Sequence, residues 1–240
     1  MTRAPLIARP GALFIVLLLV ALIALLPLRL ALGWFGLAEQ GLTARAVRGS
    51  LWNGTIEGAR FGDIALGDLS ARVAPLPLIV GQARIALEGA GEDGAARFGG
   101  TIGVSRHAIA LDGMTATLPV GNAFAPVPVT TLALDGVRLR FADDRCDRAS
   151  GGVRALLTGD VAGQAIPASM RGTPRCDGAA LLLPLASAGG DAALLRIWPD
   201  GRYRAELTLA AGDPAAAARL QSSGFAETPR GMQLAIDGRF

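Results

Sequence analysis

A chain of 240 residues, 51% of them hydrophobic and with a mean hydropathy of +0.42, has material for one ordinary domain plus an apolar segment. The pI of about 9.6 does not mark a nucleic-acid binder: all 23 basic residues are arginine, scattered singly among 20 acids, without the concentrated basic stripe such binding needs. Glycine is abundant, at 32 residues, yet follows no collagen period and forms no low-complexity tract, so its dispersal signals many turns.

Gly11 to Leu28 carries no charge. Eighteen helical residues at about 1.5 Å each span roughly 27 Å, close to the hydrocarbon thickness of a bilayer. Arg3 and Arg9 precede the run and no acid appears before Glu39, so the positive-inside rule predicts a cytoplasmic N-terminus. Residues 1–9 then form a cytoplasmic tail, 10–33 a transmembrane anchor with Trp34 and Phe35 at the interface, and 34–240 an exported domain. A cleaved signal peptide is the competing reading, with Ala31-Leu32-Gly33 before the cut. The long apolar run and Arg29 in the cleavage region argue against it. Both readings export the C-terminal region.

Beyond a connector at 34–48, which reads as a short helix or a first strand, comes Gly49-Ser50-Leu51-Trp52-Asn53-Gly54. A tryptophan seeks burial with a partner for its indole N–H, and glycines on either side permit a bend or a close backbone approach. Short β-like segments follow at 55–61, 64–66 and 69–73, alternating apolar with polar or small residues. Pro75-Leu76-Pro77 breaks the ladder at an edge or corner, and a strand resumes over 79–87. Ile85-Ala86-Leu87-Glu88-Gly89, Ile109-Ala110-Leu111-Asp112-Gly113, Leu132-Ala133-Leu134-Asp135-Gly136 and Leu234-Ala235-Ile236-Asp237-Gly238 repeat one form. Two large residues share a strand face, and the acid-Gly pair is expected to turn the chain. The first three copies lie 24 and 23 residues apart, which suggests a meandering antiparallel sheet. Further strands are predicted over 154–157, 159–166, 179–185, 194–198 and 203–209. Pro199-Asp200-Gly201 makes a hairpin turn, and Trp198 is expected to anchor that hairpin in the core. Asp213 as N-cap, Pro214 at the first helical position and the Ala-rich run to Gln221 predict one helix, ended by Gly224. A last strand spans 232–236.

Cys146 and Cys176, 30 residues apart in an exported region, are well placed for one disulfide rather than two free thiols. Zinc needs about four ligands, and His107 with two cysteines falls short. Asp143, Asp144 and Asp147 around Arg145 read as a solvated loop more simply than as a cation site. His107, the only histidine, has no nucleophile motif beside it and reads as a surface or sheet residue. No catalytic, metal or cofactor-binding residues are expected.

Gly49-x-Leu51-Trp52-x-Gly54, Ile56-x-Gly58 and Phe61-Gly62-x-Ile64-x-Leu66, together with the N-terminal run, the cysteine pair and a closing Gly224-Phe225…Gly231-x-x-Leu234…Gly238, resemble the type II secretion system protein N (general secretion pathway protein N) family. The resemblance runs along most of the chain. It implies an all-β fold, a strongly curved antiparallel sheet or half-open barrel in the periplasm with one short C-terminal helix. It implies a non-enzymatic accessory subunit of the inner membrane that contacts other secretion subunits, the inner-membrane platform and the secretin among the candidates. Gly49, Leu51, Trp52, Gly54 and Gly62 are the interaction candidates. The alternative is a periplasmic lipid-binding or lipid-transfer module with an apolar groove along the sheet, hinted at by the apolar stretches 76–80 and 181–185. A periplasmic hydrolase has fewest candidate residues.

Overall fold

A computed structural model describes residues 14–15, 17–18, 21, 25, 27–28, 42–61, 64–90, 97–120, 129–161, 163–210 and 213–239. The chain runs through β1 (Leu42–Thr43), β2 (Ala46–Ser50), β3 (Asn53–Phe61), β4 (Ile64–Val73), helix α1 (Pro75–Ile79), β5 (Ala83–Ala90), β6 (Arg97–Val104), β7 (Ala108–Pro119), β8 (Val129–Ala142) and β9 (Arg145–Leu157). It continues with β10 (Asp160–Val161), β11 (Gln164–Ala165), β12 (Ser169–Gly172), β13 (Arg175–Asp177), β14 (Ala180–Ala186), β15 (Ala192–Ile197), β16 (Arg202–Leu209), helix α2 (Pro214–Ser222), β17 (Ala226–Thr228) and β18 (Gly231–Arg239).

Sixteen strands form one antiparallel sheet among the described residues. β1 and β2 both pair with β3, and the ladder proceeds through β4, β5, β6, β7, β8, β9, β12, β14, β15, β16 and β18 to β17. β13 joins β14 from the side, and β10 with β11 makes a separate hairpin. The first and last strands do not pair, so the sheet is open and not a closed barrel.

Alternation decides the two faces. Val73, Ile85, Ile102, Leu111 and Leu139 follow one another in register from β4 to β8. Their chain neighbours Arg72, Ala86, Thr101 and Asp112 form the opposite, solvated row. With a side-chain period of two, one face is apolar from strand to strand and must be covered. The sheet covers it by curling on itself. Val120, Val129 and Leu157 from the β7–β9 region share a buried cluster with Leu207, Leu209 and Met232 from β16 and β18. Met114 and Val137 likewise pack with Leu183, three strands or more along the ladder.

The curl has a local cause. Asp112-Gly113 and Asp135-Gly136 do not turn the chain, as the sequence repeat suggested, but lie inside β7 and β8. Gly113 (φ +61°) and Gly136 (φ +56°) adopt left-handed backbone where the ladder shifts register. An acid followed by a left-handed glycine serves a bulge as well as a turn, and a bulge bends its strand and increases the twist. The strands are therefore long, 12 residues in β7 and 14 in β8. The other two copies place the acid-Gly pair inside the last residues of β5 and β18. Gly89 gives the Phe98 ring its room and Gly238 that of Tyr203: an added Cβ would sit 2.7 Å and 2.5 Å from those rings.

Other expectations are met or corrected in the same terms. The connector expected over 34–48 is, in its described part, β1 and the start of β2, and 64–73 is one strand instead of two. Helix α2 begins as predicted: Asp213 accepts a hydrogen bond from the Ala216 N–H at 2.6 Å, with Pro214 at the first position. Its Leu220, fully buried, plugs one mouth of the curl. It is not the only helix, because α1 replaces the start of the strand predicted over 79–87, Pro75 fitting a first helical turn. The apolar stretch 76–80 is thus not a groove strand. Trp198 is not a core anchor; it lies half-buried at the β15–β16 turn with the Arg202 guanidinium 5.6 Å above its ring. The strand expected over 159–166 is the small β10–β11 hairpin.

The sheet has two ends. At the α1 end lie the Leu51-Trp52 turn, α1, and the turns at 105–107, 143–144, 178–179 and 199–201. At the α2 end lie that helix and the β10–β11 hairpin.

Candidate interaction surface

Four of the five interaction candidates come together in one hairpin at the edge of the sheet. Gly49 pairs with Gly54 and Ser50 with Asn53, leaving Leu51-Trp52 as a two-residue turn. The Asn53 N–H donates to Ser50 Oγ at 3.4 Å. Gly49 is left-handed (φ +84°), and a Cβ there would lie 2.5 Å from the Asn53 carbonyl oxygen and 3.0 Å from the Gly54 Cα. Any side chain at 49 would therefore splay the two strands at the turn. Gly54 lacks a Cβ where a Leu28 methyl lies against it. Leu51 is half-buried against the cluster of Leu28, Ile56, Ala59 and Leu69, and Trp52 is half-buried beside it. Gly62 lies outside the described residues.

The chain before the hairpin touches it. Pro27 bridges to Ser50, and Leu28 is buried among the hairpin's inner residues. The sequence offered no sign of this contact except the absent side chain at Gly54. Of the predicted anchor, Phe14, Ile15, Leu17, Leu18, Ala21 and Leu28 are helical, and the Leu25 N–H donates to the Ala21 carbonyl at 2.9 Å. Phe14, Ile15 and Leu17 are more than half exposed. No helix among the described residues is long and apolar enough to cross a membrane. The tail 1–9, Trp34, Phe35 and most of 10–33 lie outside the described residues.

On the outer face beside the hairpin, Glu57, Asp68 and Glu88 rim a shallow hollow of about 460 Å³ with Thr55 and Ser70. Two of its acids are engaged: Glu57 pairs with Arg48 at 3.2 Å, and Asp68 accepts the Gly58 N–H at 2.7 Å. No group of three or more His, Cys, Asp or Glu among the described residues could hold a metal.

Cys146 and Cys176 form the predicted disulfide, with 5.4 Å between Cα atoms, inside the usual range. It closes a seam. Towards the α2 end β12 lies between β9 and β14, whereas towards the α1 end β9 meets β13 and β14 through the disulfide and the Cys146 N–H, which donates to the Ala179 carbonyl at 3.0 Å. Asp143 and Asp144 are the central residues of the β8–β9 turn, both left-handed (φ +48° and +57°). Asp147 pairs with Arg140 at 3.4 Å. His107 Nδ1 stands 3.7 Å from Asp143 Oδ1, both side chains about four-fifths exposed, which makes it a surface residue of the adjoining turn.

The edge hairpin, the disulfide and the curled sheet as far as β17 fall within one family match. No curated protein and no solved structure matches the chain. The model of the family "Type II secretion system (T2SS), protein N" matches residues 40–230. That family is a secretion accessory component and not a known enzyme family, and it implies envelope association and interaction with other type II secretion subunits. The chain belongs to the type II secretion system protein N family.

Proposed function

We propose that this chain is an inner-membrane accessory subunit that supports the export of folded proteins across the outer membrane. Its N-terminus lies in the cytoplasm, the apolar run that begins at residue 10 crosses once and meets the β domain at Pro27 and Leu28, and that domain stands in the periplasm. The family match over nearly the whole sheet carries the reading. The exposed apolar helical residues of the N-terminal run suit a lipid environment. The disulfide suits an oxidising compartment.

The contact surface proposed for platform subunits or the secretin is the β2–β3 hairpin. It sits at an open sheet edge, where backbone N–H and C=O groups can pair with an added strand, and Trp52 is an amphipathic anchor of the kind enriched at interfaces. The opposite edge is the three-residue β17 and, beyond it, the rest of β18 from Leu234. A lipid-transfer module would need the apolar face open to an acyl chain. Along much of the sheet that face is filled by its own side chains, Met114, Val137, Val153 and Leu183 packing together at its centre, which favours assembly over carriage.

Crosslinking the membrane-embedded protein in its host, with partners identified by mass spectrometry, tests the reading. Secretion subunits are expected, and their yield should fall for Trp52→Ala while the protein level holds. Phospholipid recovered in their place would overturn it.

A further inference from the structure

We propose that α1 is a second membrane contact, an apolar knuckle that dips into the periplasmic leaflet of the bilayer from which the N-terminal anchor emerges. The proposal rests on the anchor reading of residues 10–33. In α1 and the residue after it, Leu76, Ile79 and Val80 are 76%, 82% and 71% exposed and Leu78 is 39% exposed. None of the helix's residues is buried, and neither its first nor its last turn carries a charge. A folded chain seldom leaves such a cluster facing water without a partner for it.

Three observations give the partner its chemistry. The first is placement. The apolar run ends where Pro27 bridges Ser50 and Leu28 abuts Gly54, and Gly54 pairs with Ala71, three residues before the Ala74 cap of α1. Anchor and knuckle therefore leave the sheet at the same end. The second is the backbone, several of whose donors are met within the knuckle or at its base, which lowers the cost of entering an apolar medium. Val80 N–H donates to Pro77 O (3.1 Å), Gly81 N–H to Leu78 O (3.0 Å), Gln82 N–H to Pro77 O (3.0 Å) and Ala74 N–H to Arg84 O (2.9 Å). Pro75 and Pro77 have no N–H to satisfy. The third is charge. Arg72 and Arg84, both exposed, stand at the base of the knuckle on its two flanking strands. Long cationic side chains there can reach anionic headgroups while the knuckle enters the acyl boundary. Val104 and Ile109, 41% and 56% exposed at the next turn, extend the apolar surface at this end. An apolar pocket on a protein would match Leu76 and Ile79 but gives no reason for their sharing an end with the anchor.

The test uses the full chain in phospholipid nanodiscs containing a phospholipid with a diazirine on its acyl chain. After illumination, cleavage at arginine releases Val73–Arg84 as one peptide. Lipid adducts are expected on that peptide and on the one carrying the apolar run, with none on Leu220–Arg230 at the α2 end. Ile79→Glu, at a position already in the open, should lower the 73–84 adducts at least tenfold and leave those on the apolar run. Adducts on the apolar run, with 73–84 no higher than 220–230, would overturn the knuckle and leave the anchor standing. Adducts on neither would overturn the anchor reading and the knuckle with it. Two chains per disc with 73–84 bare would give the knuckle to a second copy instead.

Discussion

Breaking the Cys146–Cys176 bridge should cost the fold most of what its loop predicts. The two cysteines are 30 residues apart, and closing a loop of that length removes about 12 cal/mol/K from the unfolded chain, or about 3.6 kcal/mol at 25 °C. Among the described residues no second covalent tie spans this seam, where β9 meets β13 and β14 beyond the end of β12. Cys146 is buried, so alanine is the better replacement: a serine would add the cost of an unmatched hydroxyl. Urea unfolding of the full chain in detergent, followed by tryptophan fluorescence, measures the loss. Cys146→Ala, Cys176→Ala and the double variant should lose the same amount, about 3–4 kcal/mol, because each breaks one and the same bond. A reductant should then do nothing further to the double variant. Amide exchange should quicken first in β13 and the start of β14. A loss below about 1 kcal/mol, or a double variant far worse than either single, would refute the loop argument.

Leu220→Ala should cost about 3–5 kcal/mol, since that side chain is fully buried in the largest cluster, whereas Asp213→Ala should remove only the cap of the same helix, about 1 kcal/mol; chemical denaturation ranks the two. Gly136→Asn should be nearly neutral, because the position is left-handed with open space around it and Asn accepts that backbone. Gly151→Ala should be severe, its Cβ meeting the Val137 backbone at 2.6 Å; equal melting temperatures for the two variants would remove the bulge account. Asp200 is held below the ordinary 3.8, first by the Arg202 backbone N–H and then by its side chain. Its contribution is present above the ordinary value and lost as pH falls through the lowered one, so a carboxyl NMR titration should show a midpoint below 3.8 that returns upward in Arg202→Ala.

Short-range signals were legible. Asp213-Pro214 placed α2 to within a residue, because an N-cap and a first-turn proline act within four positions. Apolar alternation gave the antiparallel strands, and the two cysteines gave their bridge. The Gly49–Gly54 motif was legible as a bend, and the structure makes it the edge hairpin. What failed is what neighbours decide. Asp112-Gly113 carries the same local preference for a hairpin turn and for a bulge, and only the partner strands reveal that β7 runs on through it. Leu181-Leu182-Leu183-Pro184-Leu185 reads equally as a groove wall or a buried strand; Leu182 and Leu183 are buried in succession, one on each face. Trp198 shows that aromatic character alone does not separate core from rim. The meeting of Leu28 with Gly54 joins residues 26 positions apart through a missing atom, which no pattern of side chains could announce.

The central claim is that this chain serves type II secretion. Its most direct test is to delete the gene in its host and assay the culture medium for a known substrate of the same secretion machine. The account predicts that the substrate accumulates folded in the periplasm, that the wild-type chain restores its release, and that a stably expressed Trp52→Ala variant restores it poorly. Undiminished secretion in the deletion strain, with the other secretion subunits at normal levels, would contradict it.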